Sequence, residues 1–270
     1  MPELPEVETT RRGIAPHICG QRISRIIVRN RQLRWPVSPR LETELTGQRV
    51  HAVKRRAKYL LLETDAGTAI LHLGMSGSLQ LVAARATAGK HDHVDIVFND
   101  TALRLTDPRR FGSLHWTRRP ASQHRLLSAL GVEPLGDAFS GEYLYAQSRR
   151  RKVAIKQFIM NARIVVGIGN IYASEALFMA GINPRRASGR VSKQKYALLA
   201  EVTRELLDDA IAQGGTTLRD FVNGAGKPGY FAQQLNVYGR AGEPCISCRV
   251  PIRQIRQGQR STFYCPKCQP

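Results

Sequence analysis

The fold is decided by three short runs in the first half of the sequence, Tyr59-Leu-Leu-Leu-Glu63, Ala69-Ile-Leu-His-Leu73 and Ser78-Leu-Gln-Leu-Val82. Turn residues, such as Asp65-Ala-Gly67, separate the runs. Apolar or alternating runs of about five residues that are bounded by turn residues are typical of β-strands. Several short strands in succession predict a β-sandwich or a barrel.

The same pattern extends outward on both sides, from residue 22 to about residue 117. Residues 3–18, which precede it, predict a helix, because apolar side chains recur on one helical face and Gly20 follows as a stop. Further strands are predicted at 23–28, 94–98 and 102–106.

The composition predicts a folded protein that binds a polyanion. Apolar residues make up 42% of the 270 residues, which is enough for a hydrophobic core, so we expect a folded rather than a disordered chain. Lys and Arg total 41 against 21 Asp and Glu, a net charge of +20, which favours nucleic acid as the partner. A ribosome-associated or simply basic protein is the alternative. No apolar run could span a membrane and the N-terminus does not read as a secretory signal, so we expect a cytoplasmic protein with no membrane partner.

Beyond about residue 131 the pattern becomes helical. Gly131-Val-Glu-Pro-Leu-Gly136 has the proline and glycines of a linker, and residues 222–231 have the composition of a flexible loop. Helices are predicted at about 140–148, 152–161, 170–180 and 192–212. The chain therefore divides into three predicted domains, which are residues 1–130, 131–236 and 237–270.

The cysteines predict one structural zinc ion. Cys245-x2-Cys248 and Cys265-x2-Cys268 are separated by residues 249–264, a spacing that is typical of four-cysteine zinc sites. Four thiolates complete the tetrahedral set of a structural Zn2+ and leave no open position for metal catalysis. Reduced pairs without metal, or disulfides, are the alternatives. The arginines between the pairs predict that this module faces DNA; they are Arg249, Arg253, Arg256 and Arg260.

Six motifs, in order over essentially the whole chain, resemble those of one family. They are Pro2-Glu-Leu-Pro-Glu-Val-Glu-Thr9, Arg55-Arg-Ala-Lys-Tyr-Leu60, His72-Leu-Gly-Met-Ser-Gly77, Asp107-Pro-Arg-Arg-Phe-Gly112, Val166-Gly-Ile-Gly-Asn-Ile-Tyr172, and the cysteine ribbon with Gln259-Arg260. The family is that of the bacterial formamidopyrimidine-DNA glycosylases, or 8-oxoguanine DNA glycosylases. The resemblance implies an α+β fold: an N-terminal catalytic β-sandwich with a leading helix, a helix-two-turn-helix domain and a zinc-ribbon β-hairpin.

The resemblance also implies a function. A member of this family would be a bacterial, nucleoid-associated and monomeric base-excision-repair enzyme. It would bind double-stranded DNA that contains an oxidised base or an abasic site. It would remove oxidised purines, such as 8-oxoguanine and formamidopyrimidines, and cleave the abasic strand by β,δ-elimination.

The resemblance assigns the chemistry to five residues. Removal of Met1 would make Pro2 a terminal secondary amine, and α-amino groups titrate near about 7.7–8.0, so a useful fraction is unprotonated at neutral pH. This amine would attack C1′ of the damaged nucleotide and form a Schiff base. Glu3 would transfer protons with support from Glu6, and Lys58 and Arg260 would act in the eliminations. Without the resemblance, Pro2 indicates only methionine removal, and the glutamates are ordinary helix-start residues.

The resemblance places DNA contacts on several loops. Met75, Arg109 and Phe111 match the set that fills the space left by a flipped-out base. Residues 215–231 correspond to the lesion-capping loop, and their glycines suit a mobile lid. Further contacts, chiefly with phosphates, are predicted at His72, His91, Arg151, Lys156 and Asn170.

Two other functions stay open from the sequence. An endonuclease VIII-like enzyme of the same superfamily would select oxidised pyrimidines, but such enzymes typically begin Pro-Glu-Gly-Pro, whereas this chain has Pro2-Glu-Leu-Pro5. A non-catalytic zinc-ribbon protein would form no covalent adduct with damaged DNA. His91-Asp-His93 could also bind a metal, although no further ligand has a suitable spacing. Asn161-Ala162 departs from the family's Asp-Asn pair, a difference that bears on local packing.

Overall fold

The structure is a computed structural model that describes residues 2–215 and 235–270. The lesion-capping loop predicted at 215–231 therefore lies outside the described residues, apart from Gly215. Within the described ranges, no helix combines the length and the apolar character needed to cross a membrane. The chain forms two compact units, which are described in turn: Met1–Ser128 with Gln213–Ala232, and Ala129–Ala212 with Gln233–Pro270.

The first unit is a β-sandwich preceded by a helix. Its described elements are α1 (Leu4–Ile18), β1 (Arg25–Val28), α2 (Pro39–Leu45), β2 (Val50–Arg56), β3 (Tyr59–Thr64), β4 (Gly67–His72), β5 (Ser78–Ala83), β6 (Asp92–Phe98), β7 (Thr101–Thr106) and β8 (Ser113–Thr117). The strands form two antiparallel four-stranded sheets, in the orders β1-β6-β7-β5 and β2-β3-β4-β8. Two separate sheets make this unit a sandwich rather than a barrel.

The apolar core of the first unit joins both sheets and the leading helix. Leu62 and Leu71 from one sheet, Ile96 and Leu103 from the other, and Ile14 from α1 are each at most 1% exposed. Because side chains alternate along a strand, one face of each sheet supplies these residues. This packing fixes α1 and so positions the residues at its N-terminal end.

α1 begins with the polar residues that its sequence predicts. Glu3 is the N-cap and forms a capping box with Glu6, and Pro5 lies in the first turn. Proline suits that turn because its missing N–H would have no partner inside the helix. Gly20, with a φ of +80°, follows the end of the helix as expected.

The second unit is helical and carries a β-hairpin. Its described elements are α3 (Gly141–Ser148), α4 (Ile155–Ile159), α5 (Asn170–Met179), α6 (Lys193–Ala212), β9 (Arg253–Gln257) and β10 (Arg260–Tyr264). A turn at 162–164 and a bend at 166–167 lie between α4 and α5. α4 is shorter than the helix predicted at 152–161, because a β-bridge between Ala154 and Ala187 holds the preceding backbone in an extended form. The two units together give the predicted α+β fold class.

Asn161, which departs from the family pattern, builds the turn that follows α4. Its Oδ1 accepts a hydrogen bond from the Arg163 N–H at 3.0 Å. Its carbonyl accepts from the N–H groups of Ile164, at 2.8 Å, and Val165, at 3.2 Å. Asparagine favours such turns because its side chain mimics a backbone turn. The local backbone therefore accommodates the departure.

Glu175 on α5 anchors the segment that leads into the hairpin. Its side chain is buried, and its carboxylate accepts from the backbone N–H groups of Asn236, Val237 and Tyr238 at 2.7–3.0 Å. Hydrogen bonds to an ionised carboxylate are stronger than neutral ones. This anchor holds the chain against α5 just before the cysteine module.

Candidate active site and nucleic-acid interface

The first unit places three of the predicted catalytic residues together at the start of α1. Pro2, Glu3 and Glu6 are all buried, and the two carboxylate side chains are at most 2% exposed. Glu6 Oε2 accepts from the Glu3 N–H at 2.8 Å, which completes the capping box. The carboxylates are thereby held in fixed positions next to Pro2, in an environment largely closed to water.

Gly215 lies against Glu6 in the same unit. A Cβ at this position would be 3.1 Å from Glu6 Oε1, and the backbone φ of +84° is one that side-chain-bearing residues rarely adopt. Glycine is therefore needed here for both space and conformation. The first residue of the predicted capping loop, which is its only described residue, thus lies against a predicted catalytic carboxylate.

Lys58 lies in the two-residue turn that connects β2 and β3. Arg56 and Tyr59 pair across this turn, and its first residue, Ala57, is buried with a φ of +55°. Arg55 Nη1 donates to the Ala57 carbonyl at 3.0 Å, and its Nε lies 3.2 Å from Glu8 Oε2 on α1. These bonds fix the turn that carries Lys58 to α1, the helix that follows Pro2.

His72, at the end of β4, is held as a neutral imidazole. Its Nδ1 accepts from the Gly74 N–H at 2.9 Å, and its ring packs 4.8 Å from that of Tyr59. Burial, followed by the positive charges of Lys58 and Arg34, lowers the pKa of His72 to about 4. With Nδ1 acting as an acceptor, the proton resides on Nε2, which can donate a hydrogen bond to a phosphate oxygen.

The three predicted intercalating residues lie on two loops of the first unit, which we call the intercalation loops, residues 73–77 and 107–112. Met75 and Phe111 are 37% and 41% exposed, as expected for loop tips rather than core residues. The guanidinium carbon of Arg109 lies 4.8 Å from the centre of the Phe111 ring. All three side chains line one cleft of about 800 Å³.

Asp107, which the sequence analysis did not single out, joins the two intercalation loops. Its fully buried carboxylate accepts from the Ser76 hydroxyl at 2.9 Å and from the Gly112 N–H at 2.7 Å. The Arg109 N–H also reaches this carboxylate, at 3.3 Å. One side chain thus fixes the relative position of Met75 and Arg109. The sequence feature that could have identified Asp107 is its position at the start of the Asp-Pro-Arg-Arg motif.

His91 contacts Asp107 through its backbone. Its carbonyl accepts from the Asp107 N–H at 2.9 Å, and His93 Nε2 lies 2.8 Å from the Asp107 carbonyl. The carboxylate of Asp92 is engaged by the Gly89 N–H and the Thr106 hydroxyl. These partners engage the His93 imidazole and the Asp92 carboxylate.

In the second unit, Arg260 is presented by a tight hairpin turn. Gly258 and Gln259, which connect β9 to β10, have φ values of +54° and +62°. Two consecutive positive φ values define the type I′ turn that matches the twist of paired strands. The positive φ at residue 258 favours glycine, and the added Cβ would also require the flexible Gln157 side chain to move. Arg260 follows immediately and is exposed.

Lys156 and Asn170 converge on the strand residue next to Arg260. Lys156 is only 2% exposed, and its Nζ donates to Thr262 Oγ1 at 2.9 Å and to the Ser261 carbonyl at 3.2 Å. Asn170 Nδ2 donates to the same carbonyl at 2.9 Å. Both residues therefore hold the hairpin to α4 and α5, a role that the sequence analysis did not anticipate. Their predicted phosphate contacts stay predictions.

Arg151, the remaining predicted contact in the second unit, is exposed. Its Nε donates to the Gln147 carbonyl at 2.6 Å, and its guanidinium lies 5.9 Å from the centre of the Phe158 ring. These contacts restrain the side chain near the end of α3 and leave its cation accessible.

The four cysteines fit one structural Zn2+. Among the described residues they form the only group of three or more metal-ligating side chains, with sulfur atoms within 4.8 Å of one another. The Cys245–Cys268 and Cys248–Cys265 sulfurs are 3.9 and 3.4 Å apart. Tetrahedral Zn–S bonds of about 2.3 Å require sulfurs about 3.8 Å apart. Burial disfavours the Cys245 thiolate, but the N–H groups of Cys248 and Ser247 lower its pKa to about 7.

These parts define a class of protein. A β-sandwich with buried carboxylates beside Pro2, a helix-two-turn-helix segment and a zinc finger are the parts of a DNA-repair glycosylase. Profiles of three families match the chain. They describe the formamidopyrimidine-DNA glycosylase N-terminal domain, over residues 1–114, its H2TH domain, over residues 130–222, and the zinc finger found in FPG and IleRS, over residues 242–270.

Individual relatives agree with these profiles. A formamidopyrimidine-DNA glycosylase of Stutzerimonas stutzeri (strain A1501) is 60% identical over 270 residues, which is 100% of each chain. A Lactococcus lactis FPG variant in complex with Fapy-dG-containing DNA is 34% identical, with a TM-score of 0.92 over 99% of each chain. The Lactococcus lactis Fpg complex with abasic-site DNA gives the same values.

The chain belongs to the formamidopyrimidine-DNA glycosylase family. It is a DNA glycosylase with AP lyase activity that removes oxidised purines from DNA.

Proposed function

We propose that the amine of Pro2, freed by removal of Met1, is the nucleophile of this glycosylase. The observation that carries the proposal is the pair of buried carboxylates, Glu3 and Glu6, which the capping box fixes in the helix start that follows Pro2. A nucleophilic amine needs an adjacent group that moves protons, and a carboxylate within hydrogen-bonding reach is such a group.

The reaction starts when the Pro2 nitrogen bonds to C1′ and the bond from C1′ to the damaged base breaks. The amine gives up its proton, and the departing base takes one up. The C1′–O4′ bond then opens, Glu3 protonates O4′, and a cationic iminium remains between Pro2 and C1′. Glu6 positions Glu3 and a water molecule for this transfer.

Strand cleavage follows from the positive charge on the iminium. The charge makes the C2′ proton acidic, and its removal drives out the 3′-phosphate by β-elimination. A second proton loss, at C4′, drives out the 5′-phosphate by δ-elimination. Lys58 assists proton transfer, and Arg260 stabilises the departing phosphate as a bidentate cation, because an arginine donates hydrogen bonds but rarely a proton.

The substrate is duplex DNA with an oxidised purine or an abasic site, as in the Lactococcus lactis complexes with Fapy-dG and abasic-site DNA. Met75 and Phe111 enter the duplex where the damaged base is flipped out, and Arg109 pairs with the orphaned base. These roles are supported by their exposure at loop tips and their shared cleft. Backbone phosphates are bound by His72, His91, Arg151, Lys156 and Asn170.

The domains carry these tasks as follows. Residues 1–130 form the catalytic sandwich, residues 131–236 the helix-two-turn-helix domain with the capping loop, and residues 237–270 the zinc finger. The first boundary is close to Ser128, where the first compact unit gives way to the second. The enzyme acts as a monomer on chromosomal DNA, in the bacterial cytoplasm.

A comparison of two lesions tests the substrate. Excision is measured in single turnover on matched duplexes that contain either 8-oxoguanine or thymine glycol. We expect much faster release of 8-oxoguanine. A preference for thymine glycol would instead indicate the specificity of an endonuclease VIII-like enzyme.

A further inference from the structure

Two arginines of the first unit share one tryptophan, outside the catalytic residues. The guanidinium carbons of Arg34 and Arg125 lie 4.9 and 5.5 Å from the centre of the Trp35 ring. Both arginines are exposed, whereas Trp35 is half-buried. Stacking on an aromatic face restrains a guanidinium and leaves its N–H edge free to bind an anion.

Two histidines extend this cluster, and one of them packs against the tryptophan ring. His115 lies 5.4 Å from Trp35 and 5.5 Å from His124, measured between ring centres. Burial, followed by the charges of His124 and Arg125, lowers the pKa of His115 to about 4. Burial and Arg125 also lower the pKa of His124. At neutral pH the positive charge of this cluster therefore comes from the two guanidiniums.

Neither of these arginines forms a salt bridge with any described residue, unlike their neighbours. Arg31 pairs with Glu42, and Arg118 Nε lies 2.9 Å from Glu44 Oε2. The two guanidiniums lie on one ring and repel each other. Because no described carboxylate pairs with either of them, we expect an external anion to bind both and to offset the repulsion.

The position of Arg34 identifies that anion. Its side chain lines the same cleft as Met75, Arg109 and Phe111, and its backbone N–H donates to the Gly112 carbonyl at 3.0 Å. A duplex bound at the intercalation loops presents its phosphates along this surface. Because Trp35 already carries two guanidiniums, its role is to hold them rather than to stack a base.

We propose that Arg34, Trp35 and Arg125 form a phosphate clamp that binds the DNA backbone beside the intercalation loops. The clamp rests on the proposed function, because it requires a duplex to engage Met75 and Phe111. It adds a sequence-independent contact to the first unit and so contributes affinity and register rather than base recognition.

The test measures DNA affinity as a function of salt concentration. The variants are Arg34→Gln and Arg125→Gln, and the probe is a labelled duplex with a tetrahydrofuran abasic-site analogue. Each variant should weaken binding about tenfold, as for loss of a charged hydrogen bond. Each should also lower the magnitude of the slope of log K against log salt by about 0.9. Arg118→Gln, which removes the same charge from an arginine paired with Glu44, should change neither value.

Tryptophan fluorescence reports on the clamp directly. The chain has two tryptophans, so Trp116→Phe leaves Trp35 as the single emitter. Its emission should change on addition of the duplex but not on addition of inorganic phosphate at the same phosphate concentration. Arg125→Lys, which keeps the charge and guards against misfolding of the glutamine variants, should retain the parental salt slope.

Parental affinity and slope in both glutamine variants, or an equal response of Trp35 to inorganic phosphate, would overturn the clamp. Borohydride trapping with 8-oxoguanine duplex at saturating concentration distinguishes failure of the phosphate clamp from failure of the proposed function. A normal adduct together with unchanged affinity contradicts only the clamp. Absence of an adduct from the parent protein contradicts the proposed function itself.

Discussion

Glu3 and Glu6 form a local structure that stabilises the start of a helix and, under the proposed mechanism, also serves the chemistry. The capping box supplies partners for backbone N–H groups that would otherwise be unpaired at the start of α1. The same bonds fix two buried carboxylates next to Pro2, so no flexible side chain has to be ordered when the substrate binds. Under the proposed mechanism, this helix start is therefore also a preorganised proton-transfer site.

Glu3→Gln should separate these two roles. Glutamine keeps an oxygen that can accept the capping hydrogen bond but cannot exchange the proton that ring opening needs. We expect the single-turnover rate of 8-oxoguanine excision to fall by about 10²–10⁴-fold, with little change in melting temperature. Glu63→Gln, at a carboxylate that pairs with Lys54 on the sheet, is the control. Parental excision by Glu3→Gln would remove Glu3 from the proton-transfer step.

The neutral state of His72 makes stability depend on pH in a defined direction. Its pKa is about 4 in the folded protein and about 6.5 in the unfolded chain. As the pH falls from 6.5 towards 4, the unfolded state takes up the proton first, so the free energy of unfolding decreases; above 6.5 this contribution is constant.

Urea denaturation at a series of pH values tests the effect. His72→Gln should show a shallower loss of stability between pH 6.5 and 4 than the parent. Part of the slope should persist, since the pKa of His115 is lowered in the same way. A His72 pKa near 6.5 in an NMR titration of the parent would refute the burial argument.

At the scale of elements, Asp107 acts as the joint between the two intercalation loops. In Asp107→Asn, one oxygen is replaced by an NH2 donor, which must face the Ser76 hydroxyl or the Gly112 N–H. We expect the free energy of unfolding to drop by about 1–3 kcal/mol, as for a buried donor that loses its acceptor.

The functional effect of Asp107→Asn should depend on the substrate. Excision of 8-oxoguanine requires intercalation and base flipping, so its rate should fall more than the cleavage rate at a preformed abasic site. Asp100→Asn, at an exposed turn between β6 and β7, provides the matched control. An equal fall on both substrates would indicate a purely structural role for Asp107.

The zinc finger is a second element whose order depends on a few side chains. The hairpin of β9 and β10 has a small core, which Phe178 of α5, Val237 and the metal-ligating cysteines complete. So small a module requires metal to fold.

Cys268→Ser should therefore lose the metal and the order around Arg260, with a fall in DNA affinity. Zinc content by atomic absorption and DNA binding by anisotropy are the measurements. Cys19→Ser, at the exposed cysteine outside the module, should retain one zinc per chain and parental affinity. Full affinity in a zinc-free Cys268→Ser protein would show that the finger does not bind DNA.

The elements also show how far the sequence could predict the fold. Strands β3 to β7 are apolar or alternating, and all of them were predicted. β2, which reads Val50-His-Ala-Val-Lys-Arg-Arg56, was missed because its basic residues hide the pattern of its two buried valines. β8 and α2 were missed as well. They have five and seven residues, which is too short for the periodic pattern of apolar residues to be recognised.

For the whole molecule, the predictable part of the site is the part that lies in local motifs. The cysteine spacing indicated a metal, and the N-terminal motif placed Pro2 beside two glutamates. The hydrogen bonds from Ser76 to Asp107 and from Lys156 to Thr262 join residues 31 and 106 positions apart. No local pattern encodes such pairs, because only the folded backbone brings them together.

The net charge of +20 is a property of the whole molecule that brings it to DNA, but it does not distinguish a binding protein from an enzyme. The covalent step makes that distinction. A free proline amine that bonds to the sugar leaves a chemical mark on one residue, whereas binding alone leaves none.

The most direct measurement is borohydride reduction of the protein mixed with 8-oxoguanine duplex, followed by peptide mapping by mass spectrometry. The proposed mechanism predicts a reduced adduct on the peptide that begins at Pro2, with Met1 absent. A protein extended by one residue before Pro2 should give no adduct. Adduct formation on Lys58, or on a protein whose N-terminus is blocked, would contradict the assignment of Pro2 as the nucleophile.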